Sequence, residues 1–263
     1  LEIKLPWIKG LSLSGNASLD WQVDNDKRWE IPWFLYSWDG VTYGSNNEPV
    51  LVEGKKGFTS PELEQDMNEA KRITLNGLLN YQTSINDRHN LRFLLGTERI
   101  TGESMYFSAF RKYFVSSSID ELFAGGDAEK TNSGGSSSEA RMNYFGRFNY
   151  DYLSKYLFEF VWRYDGSYIF PKDKRFGFFP GVSLGWRISE EGFWQGIKPV
   201  VDYFKIRGSW GQTGNDRIDT YQFLSSYGFL TGTNAIYVFN QNVENKLLNE
   251  LRIPNTNVTW EVA

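Results

Sequence analysis

Residues Tyr156 to Ser189, YLFEFVWRYDGSYIFPKDKRFGFFPGVSLGWRIS, decide how the rest of the chain is read. Tyr156, Phe158, Phe160, Trp162 and Tyr164 alternate with Leu157, Glu159, Val161, Arg163 and Asp165, which is the two-residue period of a strand with one almost wholly aromatic face. Val182, Leu184, Trp186 and Ile188 alternate in the same way with Gly181, Ser183, Gly185 and Arg187, after a connector carrying Asp165-Gly166-Ser167, Pro171 and Pro180. The two runs predict an antiparallel hairpin with a long, polar-tipped loop. A soluble sandwich has strands of about 5–6 residues and turns its polar face to water. Here the strands are longer, and the polar face mixes arginine and carboxylates with glycine and serine. This is the alternation of an outer-membrane barrel, with lipid against the rings and a wet or plugged lumen on the other side.

Composition bounds this reading without deciding it. The chain has 263 residues, 40% apolar and 17% aromatic, enough for one large domain or two small ones. Its mean hydropathy is negative, which a barrel tolerates because only alternate residues meet lipid. No run of about 18 apolar residues is present, so the sequence predicts no transmembrane helix. Zero cysteines exclude disulfides and thiolate chemistry, and the one histidine, His89, excludes a multi-histidine zinc site. A net charge of -4 argues against general nucleic-acid binding. The chain opens at Leu1 without methionine or signal peptide and stops at Trp260-Glu261-Val262-Ala263 as another strand begins, so it reads as a piece of something longer.

The alternation recurs along the chain. Leu11, Leu13, Gly15, Ala17, Leu19, Trp21 and Val23 mark a strand over Lys9 to Asp24. Further strands are expected over Arg72 to Thr83, over Leu91 to Thr97, over Ala140 to Asp151, in the opening hairpin and around Phe204 to Trp210, with another starting at Thr256. Asn25 to Ala70 reads as a long excursion in which Ser60-Pro61-Glu62 caps a short polar helix toward Lys71. Gly102 to Glu139 reads as a second excursion ending in the flexible, low-complexity Thr131 to Ser138, and Gly211 to Thr256 as a third. Ser189 to Tyr203 is expected to form a short helix with Glu190 and Glu191 at its positive end. The connections alternate long and short, so the turns at Ser84–Asn90 and Leu153–Lys155, with the segment after Ser189, fall on the periplasmic side. About 10 tilted residues cover a 25 Å apolar band, so the longer strands project past it. The fold class is therefore all-β: an antiparallel, curved meander of about seven to eight strands over residues 1–263, part of a large transmembrane β-barrel with long extracellular loops and short periplasmic turns.

By parity the lumen-facing charges are Asp20, Arg72, Arg92, Glu98, Arg141, Arg147, Asp151, Glu159, Arg163, Asp165, Arg187, Lys205 and Arg207, eight basic and five acidic. They read as a lining that guides anionic or polar solutes, with Arg163 and Asp165 as contact candidates, or as cross-strand ion pairs and contacts to a plug. Trp29, Trp33 and Trp38, with Tyr36 and Tyr43, suggest a sugar-stacking platform, although such rings also pack loops and bind partner proteins. Gly208-x-x-Gly211-x-x-Gly214 lacks phosphate-loop spacing and reads as a strand-end turn. Asp24, Asp26, Asp39 and Glu48 lack calcium-loop spacing. Nothing fixes a glycosidase separation between Asp165 and Glu159 or between Glu190 and Glu191. No catalytic, cofactor or metal residue is assigned.

Several segments together resemble a known family: Ala140–Ser167 (ARMNYFGRFNYDYLSKYLFEFVWRYDGS), Arg175–Glu191 (RFGFFPGVSLGWRISEE), Lys205–Asn215 (KIRGSWGQTGN) and Pro254–Glu261 (PNTNVTWE), with Phe114–Gly125 and Tyr221–Tyr227. The chain resembles the SusC/RagA-type TonB-dependent transporters of Bacteroidetes over most of its length. The resemblance implies import of glycans or peptides across a Gram-negative outer membrane, with the TonB complex, a SusD-like surface lipoprotein and the lipid bilayer as partners. It also implies that the plug domain and TonB box lie outside this sequence, and that the strands here are roughly a third of a wall of about 22. The rival expectation is a soluble all-β carbohydrate-binding or glycoside-hydrolase-associated domain whose second sheet buries the aromatic face.

Overall fold

In the computed structural model, which describes residues 2–230, 236–239 and 243–263, nearly every regular element is a strand. In chain order these are β1 (Glu2–Lys4), β2 (Leu11–Glu30), β3 (Trp33–Ser37), β4 (Val52–Lys56), β5 (Glu62–Ile85), β6 (His89–Lys112), β7 (Thr131–Tyr152), β8 (Tyr156–Ser167), β9 (Phe176–Arg187) and β10 (Lys205–Gly211). Short ladders follow from β11 (Gly214–Asn215), β12 (Ser226–Phe229), β13 (Ile236–Phe239), β14 (Val243–Lys246), β15 (Leu248–Arg252) and β16 (Glu261–Val262). One eight-stranded sheet runs in the order β1-β2-β5-β6-β7-β8-β9-β10, a meander interrupted only by the β3–β4 hairpin. The all-β expectation is met.

The chain divides into two compact units, Leu1–Ser18 with Ile73–Thr101 and Glu139–Ala263, and Leu19–Arg72 with Gly102–Ser138. From β7 to β10 the register is unbroken: Tyr152 faces Tyr156 and Arg141 faces Ser167 across β7–β8, while Trp186 faces Tyr156 across β8–β9 and Ile206 across β9–β10. The turns are tight for a stated reason. Leu153 and Ser154 both take positive φ (50° and 58°), as do Asn86 and Asp87 (54° and 53°), the geometry whose twist matches a two-residue hairpin. Asp151 accepts the Ser154 amide at 2.7 Å, and the turns lie side by side, Leu153 N–H donating to the Arg88 carbonyl at 2.8 Å. Gly10, at φ 89°, lets the entry to β2 lie against β5: its carbonyl accepts the Gln82 amide, and a β-carbon there would sit 1.9 Å from the Gln82 oxygen.

Among the described residues, no second layer covers the aromatic face of this unit. Leu184 is 59% exposed, Ile206 54% and Trp210 62%, while Phe158, edge-on to Phe148 at 6.0 Å, and Phe160 are half-buried. The fully buried side chains of the unit, Phe170, Ser167 and Ser189, lie where connections fold back on strand ends. There Trp260 approaches Phe170 and Phe179 at 5.2 Å each, and its indole N–H donates to the Arg175 carbonyl at 3.0 Å.

Several local expectations are corrected. The excursion over Asn25 to Ala70 is largely strand, since β2 continues to Glu30 and β5 begins at Glu62, and no helix follows Ser60-Pro61. The capping signal loses to the ladder, whose side chains also pair: Arg28 donates to Glu64 at 2.7 Å and Trp21 to Glu69 at 2.8 Å. Thr131 to Ser138 is the start of β7, not a flexible linker; Ser137 pairs with Ser104 at 2.8 Å and Ser133 with Ser108 at 2.9 Å. The expected helix over Ser189 to Tyr203 is replaced by two 3-10 turns, Ile188–Glu190 and Gly192–Trp194, because Gly192, Gly196 and Pro199 interrupt it. The strand expected from Thr256 is reduced to Glu261–Val262, paired with Gly214–Asn215, and Asn255 turns the preceding chain by accepting the Asn257 amide. The expected loop Gly211 to Thr256 contains the short ladders, and 231–235 and 240–242 within it lie outside the described residues.

Candidate functional site

The charged face of β7–β9 carries a groove of about 870 Å³ whose walls include Phe145, Arg147, Glu159, Arg163, Asp165 and Phe179. Register explains the assembly. Glu159 faces Asn149 and accepts its amide at 2.7 Å, while Arg147, one step along, reaches the same carboxylate diagonally at 3.7 Å. Arg163 faces Phe145, placing its guanidinium 5.5 Å from the ring centroid. It also grips Asp165 with two bonds, 2.8 and 2.9 Å, so the two contact candidates on β8 meet each other. Asp165 keeps 16% of its side chain exposed and Arg163 51%, so the guanidinium is the member that looks into the groove. Neighbouring charges are settled likewise: Glu98 accepts Asn143 at 2.9 Å, and Arg141 pairs with Asp216 at 2.6 Å.

A second hollow of about 660 Å³ on the same face is bordered by Asn80, Gln82, Arg92, Arg147 and Asn149. Arg92, Lys205 and Arg207 make no ion pair among the described residues, while Arg187 lies over the Tyr203 ring at 5.6 Å. The face thus offers fixed, partly neutralised charge and free cationic donors, suited to holding polar solutes loosely. The carboxylates of Glu159 and Asp165 both accept protein donors, the Asn149 amide and the Arg163 guanidinium. Sequence reasoning missed Phe145 and Phe179, although both carry the parity of the charged residues; their signal was an aromatic at a position otherwise held by glycine and arginine.

The aromatic candidates belong to the second unit. Trp29 is half-buried and packs edge-on against Phe114 at 4.7 Å, Phe114 being 6% exposed. Lys27, two residues away, pairs with Asp120 at 2.9 Å and Glu121 at 3.3 Å, fastening β2 to the same loop. Trp33 starts β3 opposite Lys56 and lies against Gly57, whose φ of 75° and lack of a β-carbon make room for the indole. Trp38 meets Tyr43 edge-on at 5.2 Å and donates to the Thr42 carbonyl at 2.8 Å. Asp39 stiffens this turn by accepting the Val41 and Thr42 amides and the Thr42 hydroxyl, and those bonds, the hydroxyl first, hold its carboxyl below the usual range. Trp33 and Trp38 remain 51% and 40% exposed, and no ring contact joins Trp29, Trp33 and Trp38 among the described residues.

No family model matches the chain. Among curated proteins it is 30% identical over 187 residues to TonB-dependent receptor P26 of Formosa agariphila, an overlap of 70% of this chain and 18% of the relative. It is 46% identical over 87 residues to TonB-dependent receptor SusC of Bacteroides thetaiotaomicron, 33% of this chain and 9% of that protein. Among solved structures, the RagAB peptide transporter contains a chain that superposes with a TM-score of 0.76 at 21% identity, over 98% of this chain and 25% of that one. The chain therefore spans about a fifth of the first of these curated relatives. With the meander sheet and the order of the shared motifs, these likenesses agree: the chain is similar to a stretch of the TonB-dependent receptors, SusC among them, and has the fold of part of a chain of the RagAB peptide transporter.

Proposed function

We propose that this chain supplies wall strands to an outer-membrane transporter that imports bulky nutrients, oligosaccharides or peptides, with energy delivered through TonB and capture aided by a SusD-like surface lipoprotein. The role is passage and not catalysis, in keeping with relatives that are named receptors and a neighbour titled a peptide transporter. The observation that carries the reading is the two-sidedness of β7–β10: uncovered rings and aliphatics on one face, and on the other a groove of paired charges in which the Arg163 guanidinium stays half-exposed. A soluble carbohydrate-binding domain would bury Phe158, Phe160, Leu184 and Trp186 beneath a second sheet. No described residue forms such a layer over them. Arg163 and Asp165 on the groove side, and Trp33 and Trp38 in the outer hairpin region, are the substrate contacts this reading favours, with Trp29 supporting the loop.

The test is genetic and direct. Removing the full-length gene should abolish growth on one class of bulky nutrient while growth on its monomers continues, and restoring the gene should restore it. Unchanged growth on every oligosaccharide and peptide supplied would overturn the proposal.

A further inference from the structure

The connection from β9 to β10, residues 188–204, exposes an apolar ridge that the transport role does not use. Val200 is 87% exposed, Phe193 67% and Ile197 46%. The ridge is held and not loose. Amide bonds of 2.9–3.1 Å run from Trp194 to Glu191, Ile197 to Trp194 and Val200 to Ile197. Trp194 stacks on Phe204 at 5.2 Å and donates to the Val201 carbonyl at 3.0 Å, and Lys198 reaches Glu190 at 3.6 Å.

Its position is fixed by one carboxylate. Glu191 accepts the Tyr156 hydroxyl at 2.7 Å, the Trp186 indole N–H at 3.1 Å and the Lys155 ammonium at 3.2 Å. Tyr156 and Trp186 are stacked neighbours on the aromatic face, so Phe193 begins two residues from the edge of that face. Beside the clamp, the aromatic face opens into an apolar groove of about 480 Å³ between Tyr156, Phe158, Leu184, Trp186 and Ile206, over the bare backbone of Gly208.

We propose that residues 188–204 form an interfacial foot, with Phe193, Ile197 and Val200 entering the boundary between phospholipid headgroups and acyl chains on the periplasmic side, and an acyl chain lying in the adjacent groove. The occupant is lipid because the ridge continues the membrane-facing wall through tyrosine and tryptophan, the ring types that settle at this depth with the polar end wet and the ring dry. Phe193 and Val200 extend that belt beyond the last residue of β9. The inference rests on the lipid-facing reading of the wall, and its test separates the two.

The sequence has no cysteine, so single cysteines placed here can be spin-labelled, with any cysteine elsewhere in the full chain replaced by serine. The full transporter, reconstituted in phosphatidylethanolamine/phosphatidylglycerol vesicles, is labelled at Val200→Cys, with Ile197→Cys as a second position. Leu184→Cys is the wall reference, and Arg88→Cys, exposed in the neighbouring turn, the aqueous one. The foot requires Val200 and Ile197 labels that collide more with oxygen than with a water-soluble nickel chelate, as Leu184 does. Nickel-favoured collisions like those at Arg88, or protection from both quenchers by a protein partner, overturn the foot while Leu184 stays oxygen-favoured. A nickel-favoured Leu184 overturns the foot and the membrane wall together.

Discussion

Trp162 occupies the space that a side chain at Gly146, its partner across β7–β8, would need: a β-carbon there would stand 2.5 Å from the indole Nε1. The indole also stacks toward Phe178 at 6.4 Å, so it is held from two sides. Gly146→Val should therefore force the ring off its seat and destabilise the folded wall by about 1–3 kcal/mol, the usual cost of overpacking. The readout is the heating or denaturant midpoint of the folded barrel in detergent. Adding Trp162→Ala should recover part of the loss, because the valine then fills the vacated space; no recovery would mean that the ring is not what excludes the side chain.

Arg163 and Asp165 form a bidentate pair whose guanidinium is half-exposed, so its contribution to stability is small, about 0.2–1 kcal/mol. Arg163→Gln should leave the folded yield unchanged. If the guanidinium touches solute, uptake should nevertheless fall about three- to tenfold, the loss of one charge-assisted contact of roughly 1 kcal/mol. Equal uptake by the two proteins would remove Arg163 from the passage. Phe145→Leu, which removes the ring beneath the guanidinium, should have a smaller effect in the same direction.

The strands were legible wherever one face is apolar, because the two-residue period then prints itself in the sequence. Leu184, Trp186, Ile206 and Trp210 all lie uncovered on the expected side. The ends of β2, β5, β6 and β7 beyond the expected spans were not legible, since residues such as Asp26, Arg28, Gln65, Ser104 and Ser137 interrupt the apolar alternation there and the backbone ladder carries the pairing. Ser60-Pro61-Glu62 is a sound local helix start, but it forms no helix when the neighbouring strand supplies hydrogen bonds along its whole length. At the candidate site, parity identified Arg163 and Asp165 but not their mutual bond, because a charge on a strand has neighbours at i±2 as well as across the ladder. Trp29 looked equivalent to Trp33 and Trp38, and its distinction came from Phe114, a partner far along the chain.

Glu191 gives the short-turn end a pH dependence with a definite sign. Its carboxyl is held below the usual range, first by the Tyr156 hydroxyl and then by the Trp186 N–H and the Lys155 ammonium. A depressed carboxyl contributes stability above the ordinary unfolded value of about 4.3, and that contribution disappears as pH falls through the lower folded value. Amide protection in residues 188–204, taken relative to the intrinsic exchange rate at each pH, should therefore be high at neutral pH and fall on acidification below about 4.3. In Glu191→Ala protection should be low already at pH 7 and change little on acidification; a wild-type protein whose protection persists through the same range would contradict the clamp.

Trp29, Trp33 and Trp38 should separate under replacement because their surroundings differ. Trp29 supports Phe114, so Trp29→Ala should cost about 1–3 kcal/mol and loosen the loop that Lys27 fastens through Asp120 and Glu121. Trp33 and Trp38 keep about half of their surface in water, so replacing both should leave the folded state nearly unchanged apart from the lost bond between Trp38 and the Thr42 carbonyl. Exposed indoles held by Gly57 on one side and Tyr43 on the other are suited to stacking on a sugar ring or a peptide side chain. If they do, the Trp33→Ala/Trp38→Ala protein should fold, insert and bind its nutrient about tenfold more weakly, equivalent to about 1.4 kcal/mol. Binding equal to wild type in a correctly folded double variant would leave these rings with a purely local role, and the same assay on Trp29→Ala distinguishes a lost contact from a displaced loop, since only the latter also raises protease cutting within 114–121.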